Sequence, residues 1–158
     1  MAYQRDRLGS SGVFKAIVDV SRKIKRALSE SDAELSPAAE ELATQVAQAF
    51  VAGRFSDVYA KGTPGLQQTT RRDRFEQSWT ERAEEHRPLT GYQITDLGPI
   101  DLAFIPGLEE VPQSQFEAFV EISFSGVDVP VGDPKALTIG VVMLDQDGEL
   151  RLGAIHAR

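Results

Sequence analysis

The chain has 158 residues, a formal net charge of −7 and no cysteine, which excludes disulfide bonds and thiolate chemistry. Hydrophobic residues make up 41% of the chain and charged residues 26%, as is typical of a globular protein. No apolar run reaches the length of a membrane-spanning helix, and no signal-peptide core follows the N-terminal charges, so we expect a cytoplasmic location.

The charge is unevenly distributed along the chain. Seven Lys or Arg and two Asp residues give residues 1–28 a net charge of +5, so the remaining residues carry −12. Such an acidic body argues against nucleic-acid binding. Residues 1–12 are polar and are expected to form a disordered tail, and residues 29–35 form an acidic linker.

Between these two segments, the sequence from Val13 to Leu28 has the period of an amphipathic helix with a basic polar face. One interpretation is a helix that docks on an anionic membrane or an acidic partner. The other is a helix that packs on its own acidic domain, residues 36–158, or on a second subunit.

The first helix of this domain has clear signals at both ends. Ser36 is an N-cap candidate followed by Pro37, and Gly53 suits the positive φ at which a helix commonly ends. A short second helix is expected at residues 55–61, followed by a turn at residues 63–65.

A third helix is expected from a capping-box-like sequence at residues 70–73 (TRRD) to about residue 86. Phe75 and Trp79 are four residues apart and therefore face the same side of this helix.

From Leu89 onward the pattern changes from helical to alternating. Tyr92, Ile94 and Asp96 share one face of the first predicted strand, and residues 100–105 are a candidate for a short strand. A clear strand follows, with these residues on one face: Phe116, Ala118, Val120, Ile122 and Phe124.

The dipeptide Asp147-Gly148 between two apolar runs predicts a two-residue hairpin turn. If Gln146 pairs with Glu149, His156 lies opposite Ile139 on the inner, apolar face of the hairpin. The other pairs predicted by this register are Met143 with Leu152 and Val141 with Ala154. The predicted inner face then contains Leu137, Ile139, Val141, Met143, Leu150 and Leu152.

Helices followed by an antiparallel sheet, with Phe75 and Trp79 on the third helix, resemble the nuclear-transport-factor-2-like superfamily. The sequence FVAGRFSD at residues 50–57 is similar to the end of the first helix in that family, and Gly91-Tyr92 fits the start of its sheet. The resemblance covers about residues 37–156. It implies an α+β fold with three helices on the concave face of a curved, mainly antiparallel sheet. The family includes ketosteroid isomerases, polyketide cyclases, scytalone dehydratase and many bacterial proteins of unknown activity.

The resemblance also implies a pocket between helices and sheet and a homodimer formed through the outer sheet surface. The expected pocket lining is Tyr59, Phe75, Trp79, Tyr92, Phe124 and His156. The expected dimer interface is the outward apolar set Phe119, Val142 and Ile155. The alternative is that these aromatic residues simply fill a core and that the outward apolar residues are singly exposed.

His156 and Asp96 are the candidates for acid–base chemistry, because dehydratase-like relatives use a His–Asp pair. The alternative for His156 is a satisfied or frayed side chain near the end of the sequence, with no chemical role. The alternative for Asp96 is a side chain that ends its strand in solvent. No metal-binding pattern, phosphate loop or nucleophile elbow occurs in the sequence, and no cofactor is expected.

The sequence therefore predicts a non-catalytic homodimer that binds a small apolar ligand or another protein. The first alternative is a lyase or isomerase that uses His156 and Asp96, and the second is a domain tethered to a membrane or partner by residues 13–28. A deep pocket with His156 beside a carboxylate would favour the enzyme, whereas a pocket filled by Trp79, Phe124 and Tyr92 would favour an interaction domain.

Overall fold

The computed structural model describes residues 35–86 and 88–158. Within these residues, four α-helices precede a four-stranded antiparallel sheet, so the fold class is α+β. The predicted tail (residues 1–12), the predicted amphipathic helix (residues 13–28) and the linker up to residue 34 lie outside the described residues.

The four helices are α1 (Pro37–Ala52), α2 (Phe55–Ala60), α3 (Pro64–Thr69) and α4 (Arg72–Glu84). The predicted ends of α1 are confirmed. The Ser36 hydroxyl accepts a hydrogen bond from the Ala39 amide at 3.1 Å, and Gly53 has a φ of 75°.

Two details of the predicted helices are wrong. The expected turn at residues 63–65 is the start of α3, where the Thr63 hydroxyl caps the helix by accepting a hydrogen bond from the Leu66 amide at 3.1 Å. The expected capping box at residues 70–73 does not form, because Thr70 is the C-cap residue of α3 and not the N-cap residue of the next helix. Arg71 is the N-cap residue of α4, and its guanidinium pairs with Asp73 at 2.9 Å.

The strands are β1 (Leu89–Asp96), β2 (Phe116–Gly126), β3 (Thr138–Gln146) and β4 (Glu149–Ala157), and they lie side by side in chain order. A short segment between α2 and α3 extends the sheet beyond β4. The Thr63 amide donates to the Leu152 carbonyl at 2.9 Å, and the Leu152 amide donates to the Lys61 carbonyl at 2.9 Å. This pairing fixes the helical half of the chain to the edge of the sheet.

The hairpin turn is confirmed, since Asp147 and Gly148 have φ values of 57° and 81° and Gln146 pairs with Glu149. The register is as predicted as far as Met143 and Leu152, and is wrong beyond that pair.

The register changes because Gly153 is an extra residue in β4, a β-bulge between Leu152 and Ala154. Val141 consequently pairs with Ile155 instead of Ala154. The partner of Ile139 is Ala157 instead of His156, and His156 pairs with Gly140. One inserted residue exchanges the two faces of the strand, so the second half of β4 is reversed relative to the prediction.

A second irregularity lies at the start of β2, where Phe116 pairs with Leu144 and Ala118 pairs with Met143. Phe116 therefore does not share the inner face with Ala118 as predicted, and it packs on the outer side of the sheet. The candidate strand at residues 100–105 is also wrong, because Leu102–Phe104 is a turn of 3₁₀ helix.

Hydrophobic residues form a cluster on each side of the sheet. The inner cluster joins α1, α2 and α4 to the inner face of the strands. The outer cluster forms where the β1–β2 loop, residues 97–115, folds over the other face of the sheet. Its buried members are Leu102, Ile105, Leu108, Val142, Leu144 and Ala154. The chain thus covers both faces of its own sheet at this end.

Candidate functional site

The space between helices and sheet is filled by aromatic rings that centre on Phe50. The Phe50 ring lies 4.9 Å from that of Phe55 and 5.2 Å from that of Trp79, both edge to face, and it stacks on Phe124 at 5.4 Å. These separations are those of attractive aromatic pairs. A ligand could enter here only if one of these rings moved.

The other expected pocket residues belong to the same packing. Tyr59 and Phe75 lie 5.3 Å apart, and the Tyr59 hydroxyl donates a hydrogen bond to the Thr70 carbonyl at 2.6 Å. Tyr59, Phe75, Trp79 and Phe124 are all at most 7% exposed, and Tyr92 packs against this cluster partly buried. The expected central pocket is therefore a filled core.

His156 and Asp96 lie on opposite faces of the sheet. Asp96 pairs with Val120, a member of the inner cluster, so its side chain is on the inner side. His156 pairs with Gly140, which pairs with Glu121, and this row is on the outer side. The inner position predicted for His156 is wrong because of the bulge at Gly153. Asp96 is on β1 and His156 is on β4, at opposite edges of the sheet and three interstrand spacings of about 4.8 Å apart. The two side chains therefore do not meet.

The expected dimer surface is also divided. Val142 is fully buried beneath the β1–β2 loop, whereas Ile155 packs against the inner cluster. Phe119 packs against the outer cluster, and the Arg158 guanidinium lies 5.7 Å from the centre of its ring. The prediction that these three residues share one exposed surface is wrong, because the bulge at Gly153 turns Ile155 to the inner side and the β1–β2 loop covers Val142.

A cavity of about 250 Å³ opens at the free edge of β4, between α3 and the β1–β2 loop. We call it the edge cavity. Its lining consists of Thr63, Gly65, Leu66, Thr69, Thr70, Pro106, Gly107, Leu108, Val111, Leu144, Gln146, Gly153, Ala154, Ile155 and His156. Of the residues expected to line a pocket, only His156 lies here.

Among the described residues that line the edge cavity none is charged, although 26% of the chain is charged. Its polar groups are threonine hydroxyls, the Gln146 amide and the His156 imidazole. The partial burial of the ring, and to a smaller extent the positive charge of Arg158, lower the pKa of His156 below its usual 6.5. The imidazole is therefore neutral at pH 7, with one nitrogen able to donate a hydrogen bond and the other able to accept one.

A second cavity, of about 190 Å³, lies at the end of the aromatic core and is lined by Phe124, Leu89 and Leu137 together with Glu85 and Lys135. The His86 imidazole closes one side by a 2.8 Å hydrogen bond from Nδ1 to the Lys135 carbonyl. Because it is smaller, this cavity is a weaker candidate than the edge cavity.

Comparisons with protein-family models, with curated proteins and with solved structures find no match to this chain. Among the described residues, no helix is both long and apolar enough to cross a membrane. The same part of the chain has no group of three His, Cys, Asp or Glu side chains placed to hold a metal ion.

Proposed function

We propose that the protein is a non-catalytic binding domain whose edge cavity takes a small, uncharged molecule with an apolar body and a hydrogen-bonding group. The observation that carries this proposal is the uncharged lining, in which hydroxyls, an amide and a neutral imidazole are set among aliphatic side chains. A few polar groups in an apolar wall are typical of sites that orient small ligands.

The lining also defines the preferred charge of the ligand. A carboxylate or an ammonium group would lose its hydration on entering, and the described lining offers no side chain of opposite charge to compensate. The volume of about 250 Å³ lies below the range of about 300–1,000 Å³ common for drug-sized ligands, so the ligand is the size of a single ring.

Binding is favoured over acid–base catalysis by the surroundings of His156. A general acid or base usually needs a second polar group within hydrogen-bond reach to orient it. Asp96 is on the opposite face of the sheet, and no carboxylate of residues 35–86 or 88–158 lines the edge cavity. The proposed lyase or isomerase alternative lacks its second residue.

For the fold, we propose the nuclear-transport-factor-2-like arrangement with a curved sheet. Its support is the order of the elements, with the four described α-helices before the sheet and α1, α2 and α4 in the inner cluster. The pairing of residues 61–63 with β4 adds support, since it ties the segment between α2 and α3 to the edge of the sheet. A homodimer would need a surface other than the predicted one.

A matched ligand series tests the proposed function. Benzyl alcohol, benzoate and benzylamine have the same ring and differ mainly in charge at pH 7. In ¹⁵N-labelled protein we expect benzyl alcohol to shift the amide signals of Gly107 and Gly153, which line the cavity, and the two ions to leave them unchanged. Equal shifts with all three compounds, or shifts with the ions alone, would refute the proposal.

A further inference from the structure

The β1–β2 loop presents a large aromatic side chain to solvent. Phe104 is 80% exposed, whereas its neighbours Leu102 and Ile105 are 1% and 7% exposed. Leu102 and Ile105 are three residues apart, so they lie on the same side of this 3₁₀ turn and anchor the loop in the outer cluster, while Phe104 points away from it. An exposed aromatic ring on an anchored turn is typical of residues that become buried in an interface.

The turn that carries Phe104 is held by defined hydrogen bonds. The Asp101 carboxylate accepts from the Ala103 amide at 3.0 Å. The Gln113 side chain accepts from the Leu102 amide and donates to the Ile100 carbonyl, both at 2.9 Å. The exposure of Phe104 is thus a feature of an ordered turn, and a partner would lose little conformational entropy by docking on it.

The surroundings of Phe104 are acidic. From residue 88 to residue 134 the sequence has eight Asp or Glu and no Lys or Arg. Asp101, Glu109 and Glu110 are exposed on the loop itself, and Glu117 is exposed just after it. None of these four carboxylates forms an ion pair with another described residue. A cationic, apolar segment is the complementary partner for such a surface.

The described chain begins beside this loop. The Ser36 hydroxyl donates a hydrogen bond to the Glu117 carboxylate at 3.2 Å, and Glu117 is four residues after Gln113, which holds the Phe104 turn. The linker of residues 29–35 can extend over about 24 Å. The basic residues 13–28 are therefore tethered within reach of Phe104.

We propose that residues 13–28 dock on the Phe104 surface of the same chain, with Phe104 against their apolar stripe and Asp101, Glu109 and Glu110 beside their basic residues. The stripe consists of Phe14, Ile17, Val18, Ile24 and Leu28. Residues 13–28 contain five Lys or Arg and one Asp, and their net charge of +4 complements the excess of acidic groups on the loop. This inference does not depend on a ligand in the edge cavity.

Site-specific photo-crosslinking in the full chain tests the proposal. The photoreactive residue p-benzoyl-phenylalanine replaces Phe104 in one sample and Val127, which is 60% exposed on the β2–β3 loop, in a control. Irradiation followed by peptide mass spectrometry identifies the attached segments. We expect crosslinks from position 104 to residues 13–28 and none from position 127 to that segment.

Mixing ¹⁴N- and ¹⁵N-labelled chains shows whether the crosslink is within one molecule. We expect each crosslinked pair of peptides to carry a single isotope, ¹⁴N or ¹⁵N. Crosslinked pairs that combine a ¹⁴N peptide with a ¹⁵N peptide would refute docking on the same chain in favour of a second copy. The proposal is also wrong if position 104 gives no crosslink to residues 13–28, or if both positions give the same yield. Sedimentation of the chain with anionic vesicles, without a crosslink from position 104, would instead assign the segment to a membrane surface.

Charge variants separate the acidic contribution from simple proximity. The triple variant Asp101→Asn, Glu109→Gln, Glu110→Gln should lower the crosslink yield from position 104 severalfold. The matched variant Glu81→Gln, Glu84→Gln, Glu85→Gln removes three acidic groups from the α4 region and should leave the yield unchanged. Equal yields from the two triple variants would overturn the electrostatic part of the proposal.

Discussion

Gly153 lies so close to Leu144 that a Cβ atom at position 153 would be 2.7 Å from both Cγ and Cδ1 of the leucine. Real Cβ atoms essentially never approach other heavy atoms this closely, so only glycine fits without a shift of Leu144. Gly153 is also the bulge residue that turns His156 to the outer side of the sheet. The packing of one leucine and the placement of the histidine thus depend on the same position.

We expect Gly153→Ala to lower the free energy of unfolding by about 1–3 kcal/mol, the usual cost of inserting a methyl group into a packed core. Urea denaturation measures this change. Gly65→Ala is the control, because its Cβ would lie 3.8 Å from the nearest atom and alanine favours the helix. Equal stability of the two variants would show that Leu144 does not restrict position 153.

Phe50→Ala should cost about 3–5 kcal/mol, because Phe50 is 1% exposed and contacts three aromatic rings. Val127→Ala shortens a side chain that is 60% exposed and should change stability by less than about 0.5 kcal/mol. Thermal unfolding of both variants checks the contrast. A small loss for Phe50→Ala would mean that the core is not filled as described.

The NMR titration of His156 should give a pKa below 6.5, since burial and the charge of Arg158 both disfavour its protonated form. Removing the charge in Arg158→Met should raise this pKa only part of the way, because burial is the larger cause. A pKa at or above 6.5 in the unaltered protein would contradict the placement of the ring.

The same shift makes stability depend on pH. The unfolded chain binds a proton at His156 more readily than the folded chain, so protonation favours unfolding. The contribution of His156 is therefore constant above pH 6.5 and becomes unfavourable as the pH falls from 6.5 through the lower folded pKa. His156→Gln should remove this part of the pH dependence, as urea denaturation across that range would show.

The pKa of the Glu121 carboxylate is shifted upward, in the opposite direction to that of His156. Burial raises its pKa above the usual 4.5, and this effect outweighs the Arg158 guanidinium, which lies 3.3 Å away and lowers the pKa. At pH 7 the charged form is disfavoured by burial, so Glu121→Gln should be at least as stable as the unaltered protein. Any advantage of the variant should shrink as the pH falls towards 4.5. A clear loss of stability at pH 7 would show that the ion pair dominates.

The parts of the fold that were predictable have local causes. The Ser36–Pro37 start of α1, its end at Gly53 and the Asp147–Gly148 turn all follow from the chemistry of single residues. The same rule applied to Thr63–Pro64 would have found α3, which has the same N-cap and proline as α1. The sequence around Thr63 thus contains the local signal for α3.

The rest depends on contacts between distant parts of the chain. The bulge at Gly153 is defined by the close approach of Leu144, nine residues earlier in the sequence and on another strand. The burial of Val142 depends on a loop that precedes it by some thirty residues. Alternation along one strand cannot reveal either contact, so the sequence placed His156, Val142 and Ile155 on the wrong surfaces.

The most direct test of the edge cavity as a binding site is occlusion. Thr69 is exposed at its lining, so Thr69→Tyr can fill the cavity without disturbing the core, and Thr90→Tyr at an exposed position on β1 is the matched control. The measurement is the change in the Gly153 amide signal when benzyl alcohol is added to each variant. We predict that the shift persists in Thr90→Tyr and disappears in Thr69→Tyr; an equal shift in both variants, or none in the unaltered protein, would contradict the proposed function.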